Sequence, residues 1–222
     1  IDLDQTENPS TPMPGLLSPI FAFNYVQLRL PDFVHATNGF AQEVTRQMAM
    51  TGGNTYDNAY APINFNNQWS AGYLILNAIK TMEPKAIQEN RTFILGASKV
   101  IRCYVLMTYV DMYGRIPYSE ALLGVGNITP KYDDDEEVYA GILNELDEAI
   151  ASLSIAGNVD NIEDLYYGRS APKWITLANT LKLKMYNNCN RLTTVGGKNV
   201  SSEINTIIAQ DNIIDTAAED FA

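Results

Sequence analysis

The chain has 222 residues and a formal net charge of −11, from 15 Lys plus Arg against 26 Asp plus Glu. With no basic cluster, that balance excludes a nucleic-acid-binding surface. Hydrophobic residues at 46% and aromatics at 10% exclude intrinsic disorder, because such a chain buries enough apolar area to offset its ordering entropy. Charged residues are only 18%, and 21 Asn and 13 Tyr supply much of the remaining polarity. The length fits one large domain or two small ones.

Two cysteines, Cys103 and Cys189, lie in hydrophobic helical patterns without CxxC or Cys/His spacing, and His35 is the single imidazole. That composition gives no metal site, no nucleophile with a base and no cofactor motif. No apolar run long enough to span a bilayer stands out.

In chain order, residues 1–15 form an extended lead-in, since Pro9, Pro12 and Pro14 forbid a helix there. Helices are predicted over 16–30 and 32–50, separated by Pro31, with Gly39 weakening the second. Residues 51–65 carry turn formers at Gly52, Gly53, Asn54, Asp57, Asn58 and Pro62, so they read as a long loop. A helix over 66–82 places Trp69, Tyr73, Leu76 and Lys80 on one face and ends before Pro84. The most apolar helix, 87–113, must be covered nearly all round; Gly114 and Pro117 stop it. A helix over 130–153 starts with the acidic run 133–137. The next is capped by Ser170, has Pro172 in its first turn, and repeats Trp174, Leu177, Ala178, Leu181, Met185 and Cys189 at helical spacing. Gly196 and Gly197 end that region, and 201–210 forms a last short helix. No period-two strand pattern appears, so the fold class is mainly α, built of antiparallel helical hairpins with long loops. Residues 16–210 make up this helical domain. Residues 211–222 read as an interrupted continuation, as in an N-terminal piece of a larger fold.

Two candidate sites emerge. Asp133, Asp134 and Glu137 have the spacing of a magnesium-binding motif, the basis of an α-helical enzyme alternative. Carboxylates at a helix start are more simply explained by the macrodipole and the unpaired N–H groups there. An EF-hand is ruled out by the absence of its alternating ligands and glycine. The loop before Trp69 is the more specific feature. It interleaves Tyr56, Tyr60 and Phe65 with Asn54, Asp57 and Asn58, and aromatic faces stack on sugar C–H faces while amides and carboxylates satisfy hydroxyls. The competing reading is that these aromatics pack on their own helices.

Three motifs in order carry a family resemblance. The helix and turn Arg102-Cys103-Tyr104 and Tyr109 to Ala121, which contains Tyr-Gly-Arg-Ile-Pro-Tyr-Ser-Glu, resembles that of SusD-like outer-membrane nutrient-binding lipoproteins. Pro130 to Asp133, Glu137-Val138-Tyr139 and Ile142 to Ala149 are similar to the next segment of that family. Asp164-Leu165-Tyr166-Tyr167-Gly168 and Lys173-Trp174 to Lys184 resemble the KWxxxANxLKL signature of one subgroup. Departures are Lys184 and Asn187, where the subgroup commonly has Arg, and the lack of a lipidated cysteine at the start.

The resemblance implies tetratricopeptide-like hairpins, no catalysis, and a place on the outer membrane at the cell surface, held only by an N-terminal lipid anchor that this chain lacks. It also implies oligosaccharide or other nutrient binding and partnership with a SusC-like TonB-dependent transporter. Within it, Gly114 reads as a helix stop, Trp174 as a core anchor and Asp111 as a satisfied polar group. The alternative without a ligand is a helical-repeat scaffold for protein interaction.

Overall fold

A computed structural model describes residues 18–49, 65–155 and 162–221. The lead-in over 1–15 and five of the six loop residues singled out above, Asn54, Tyr56, Asp57, Asn58 and Tyr60, lie outside them. The described residues form six α-helices and one short hairpin: α1 Pro19–Val44, α2 Asn66–Gln88, α3 Thr92–Tyr113, α4 Asp135–Leu153, α5 Ala171–Asn188, β1 Thr194–Val195, β2 Lys198–Asn199 and α6 Val200–Ala209. The mainly α expectation holds.

The two helices predicted around Pro31 are one continuous α1. Proline removes the N–H that would bond to the carbonyl four residues back, here that of Gln27. That carbonyl instead accepts a hydrogen bond from the Tyr166 hydroxyl at 3.1 Å. The inner face of α1, with Phe23, Val26, Leu30 and Phe33 all buried, supplies the packing that holds the helix through the proline. Gln27 itself is buried and clamps the segment before α5, donating from Nε2 to Glu163 O at 3.0 Å and accepting from Leu165 N at 2.7 Å.

Pro84 likewise sits inside α2 and does not end it, because Met82 and Ala86 on either side are fully buried. The break comes later. Asn90 adopts φ +56°, and Arg91 N bonds back to Ala86 O at 2.9 Å, so the predicted helix start at 87 belongs to the end of α2.

Helix α3 is the centre of the molecule, packed on α2, α4, α5 and α1. It is the one described helix long and apolar enough to cross a membrane, a feature the sequence reading passed over; 67% of its most apolar window is buried among its neighbours. Gly114 ends it at φ +72°, donating to Val110 O at 2.9 Å.

Helix α4 begins at Asp135 and not at 130, because the preceding residues are drawn into a turn described below. After α5, Gly196 (φ +56°) and Gly197 (φ +78°) form the two-residue connection of the β1–β2 hairpin, a strand pair the periodicity did not predict because each strand has only two residues. Helix α6 is capped by Asn199, whose side chain accepts from Ser202 N at 2.9 Å. The segment after α6 folds back on α5. Thr176 Oγ1 donates to Asn212 Oδ1 at 2.6 Å, Ile214 N donates to Thr180 Oγ1 at 2.8 Å, and Phe221 packs 4.5 Å from the Tyr166 ring and 5.8 Å from that of Trp174.

Candidate functional site

Two buried carboxylates organise the motif regions. Asp133 is 3% exposed and accepts from Tyr118 N (3.0 Å), Ser119 N (2.8 Å) and Ser119 Oγ (2.7 Å), with Lys131 Nζ at 3.1 Å. Its own N–H donates to Ile116 O at 3.0 Å, which ties the start of α4 to the turn after α3. Burial alone would raise its pKa. The bonds from Ser119, Lys131 and Tyr118 outweigh burial and bring it to about 2.

Asp164 does the same before α5. It accepts from Trp174 Nε1 (2.8 Å) and Arg169 N (2.9 Å) through Oδ2, and from Tyr166 N and Tyr167 N through Oδ1. Gly168 and Arg169 take positive φ to close that turn. Trp174 is fully buried, as the anchor reading expects.

The acidic run therefore does not act as one unit. Asp133 holds a turn, Asp134 pairs with Arg115 at 2.5 Å, and Glu137 is exposed in the first turn of α4 with Asp135 and Glu136, where the helix macrodipole favours it. Asp134 occupies the N-cap position without a side-chain cap bond, and so does Ser170 before α5; both capping expectations are corrected in that detail. Among the described residues no group of three His, Cys, Asp or Glu could hold a metal ion. Asp111 is satisfied as expected, accepting a hydrogen bond from the Tyr139 hydroxyl and standing 3.4 Å from the Asn188 amide. The second half of the KWxxxANxLKL segment also holds scaffold. Lys182, 9% exposed, reaches Asp147 at 2.6 Å, and Lys198 of β2 meets the same carboxylate at 2.7 Å, which keeps its pKa low against the opposing effect of burial.

The described part of the aromatic site is a wall where α2 begins and α3 ends. Phe65, the residue before α2, is exposed and meets Tyr113 edge-on at 6.4 Å. Trp69 stacks on Tyr109 at 5.5 Å and 16°, and Tyr113 and Tyr73 contact it at 5.2 and 4.9 Å. Tyr109 is fully buried and its hydroxyl donates to Trp69 O at 2.5 Å. Burial pushes its phenol far above the ordinary range, so it stays a neutral donor.

Gly72 makes this approach possible, since a Cβ there would lie 2.2 Å from the Tyr109 hydroxyl. Tyr73 is tied to Pro117 O at 2.8 Å, linking the wall to the Asp133 turn. Of the predicted loop residues, Phe65 alone is placed, and it joins this wall. Helical spacing puts Trp69 and Tyr73 on one face of α2 and Tyr113 at the end of α3, with no sign that they meet. They are half-buried and border the exposed Phe65, a grouping that only the crossing of α2 and α3 reveals.

The comparisons with known proteins agree with one another. A profile of the SusD-like family, described as starch-binding associating with outer membrane, matches residues 10–222. A SusD homologue from Bacteroides fragilis is 25% identical with a TM-score of 0.66, over 91% of this chain and 42% of its own. A SusD/RagB family protein from Bacteroides thetaiotaomicron is 23% identical with a TM-score of 0.75, over 92% and 44%. A chitin-binding SusD homologue from Flavobacterium johnsoniae is 22% identical with a TM-score of 0.69, over 90% and 43%. The chain thus spans less than half the length of these solved structures. No curated protein matches it.

Proposed function

The chain belongs to the SusD-like family, and on that premise we propose that it captures oligosaccharides or other nutrients at the cell surface without chemical turnover. It hands them to a SusC-like TonB-dependent transporter in the outer membrane, where a lipid anchor holds it. The observation that carries this reading is the family match over residues 10–222. The aromatic wall supports it. Ring faces supported from behind by Tyr109 offer a rigid stacking platform, and the sequence immediately before Phe65 is rich in amide, hydroxyl and aromatic groups, the chemistry that sugar recognition requires. In this reading Phe65 acts with Asn54, Tyr56, Asp57, Asn58 and Tyr60 as the ligand-contacting set. The chitin-binding neighbour makes a glycan the first class to try.

The test is binding of the full-length protein to a glycan panel, repeated with Tyr56→Ala and Tyr60→Ala. Loss of glycan binding with transporter association intact supports the reading, and unchanged glycan binding in both variants contradicts the assignment of the loop.

A second reading, a scaffold for a protein partner without a small ligand, rests on one surface feature. Leu123, Val125, Ile128 and Tyr132 are exposed along one connection, with Val125 at 86% and Ile128 at 83%. In the first reading this stretch is a contact for the transporter. Under the second, Val125→Asp with Ile128→Asp abolishes association while no glycan binds either form.

A further inference from the structure

We propose that a cleft between α2, α3 and the segment 117–122 binds a small carboxylate with an apolar body through Lys80 and Arg102. The cleft encloses about 270 Å³. Leu76, Leu106, Pro117 and Leu122 give it apolar walls, and Lys80 and Arg102 bring two cationic groups into the same space. Among the described residues no carboxylate lines it. Glu83, Glu145 and Glu148 instead line an adjoining cleft of about 380 Å³, on the other side of a partition formed by Arg102 and Tyr118.

This segregation of charge is what distinguishes the site. Glu145 approaches Arg102 from the adjoining cleft, with Oε2 3.0 Å from Nε but out of line for a hydrogen bond, and its other oxygen accepts from the Tyr118 hydroxyl at 2.7 Å. Lys80 donates one hydrogen to Ala121 O at 2.7 Å, and an ammonium has three to give. The protein carries a net charge of −11 and Glu145 pairs with Arg102 from the adjoining cleft, yet among the described residues no carboxylate lines the space that Lys80 and Arg102 share. Short-range pairing with one anionic group is the arrangement they fit, and apolar walls with a few convergent polar groups are the usual form of a small-ligand site. Burial, followed by the like charge of Arg102, lowers the Lys80 pKa against the opposite pull of Glu83, and an anion between the two cations would oppose that lowering further.

Isothermal titration with sodium benzoate, and with benzamide as its neutral counterpart, tests this in the full-length protein. Benzoate is expected to bind saturably and about tenfold or more tightly than benzamide, the difference one charge-assisted contact supplies. Lys80→Met is expected to weaken benzoate by a similar factor, and Lys80→Arg to retain it. Equal affinity for benzoate and benzamide in the unmodified protein overturns the proposal without reliance on any variant, as does unchanged benzoate binding by Lys80→Met. The glycan panel tests a different set of residues, so failure of one result leaves the other standing.

Discussion

The motif turns and the aromatic wall use similar residues for opposite ends. Around Asp133 and Asp164, polar and aromatic side chains close on one another. Every carboxylate oxygen has partners, and Trp174 has none of its surface exposed. Around Trp69 the rings are stacked from behind by Tyr109, yet Phe65 remains exposed and Tyr113 and Tyr73 only half-buried. The first region closes on itself, and the second leaves aromatic surface open. Tyr109 and Tyr113 belong both to the first family motif and to the wall, so the buried turn residues, and not the motif as a whole, are the ones to leave untouched in a search for a ligand.

Breaking the first region should have the largest effect. Trp174→Ala removes a fully buried indole and leaves Asp164 without its Nε1 donor; it is expected to destabilise the fold by about 3–5 kcal/mol, measured by urea unfolding. Gly72→Ala tests the link between the regions, since the new methyl must displace the Tyr109 ring. A loss of about 1–3 kcal/mol with a change in Trp69 fluorescence is expected.

Asp133 makes the same comparison through pH. Its folded pKa of about 2 lies below the ordinary 3.8, so its contribution is present above pH 4 and is lost as pH falls from 4 towards 2. The amount is about 2 kcal/mol by linkage. Asp133→Asn is expected to be less stable at pH 7 and to flatten the acid limb of the stability curve, as followed by thermal melting across pH. The smallest stability effect is expected at the wall. Phe65→Ala should change stability by less than about 0.5 kcal/mol. It should nevertheless weaken glycan binding several-fold, roughly the worth of one aromatic contact.

Much of the scaffold was legible in the sequence, because its signals are local. Gly114 ends α3, Pro172 sits in the first turn of α5, and the Trp174 stripe is buried as periodicity predicts. Where the reading failed, a distant residue decided the outcome. Pro31 does not break α1, because Tyr166, 135 positions away in sequence, satisfies the carbonyl it orphans. Pro84 does not end α2, because Met82 and Ala86 are anchored in the core. The acidic run 133–137 looked uniform, yet Asp133 points into a turn built by Tyr118 and Ser119. The proposed site was suggested by the sequence only through its residue chemistry. A loop rich in Tyr and Asn signalled sugar-like recognition, whereas the wall behind Phe65 required Tyr109 and Tyr113 to arrive from another helix.

The most direct measurement of the central claim is titration of the full-length protein with a panel of polysaccharides and peptides, with product analysis on the same samples. Saturable binding of one glycan or nutrient class with no products released is the predicted result. Release of products, or a correctly folded protein that binds no member of the panel, would contradict it.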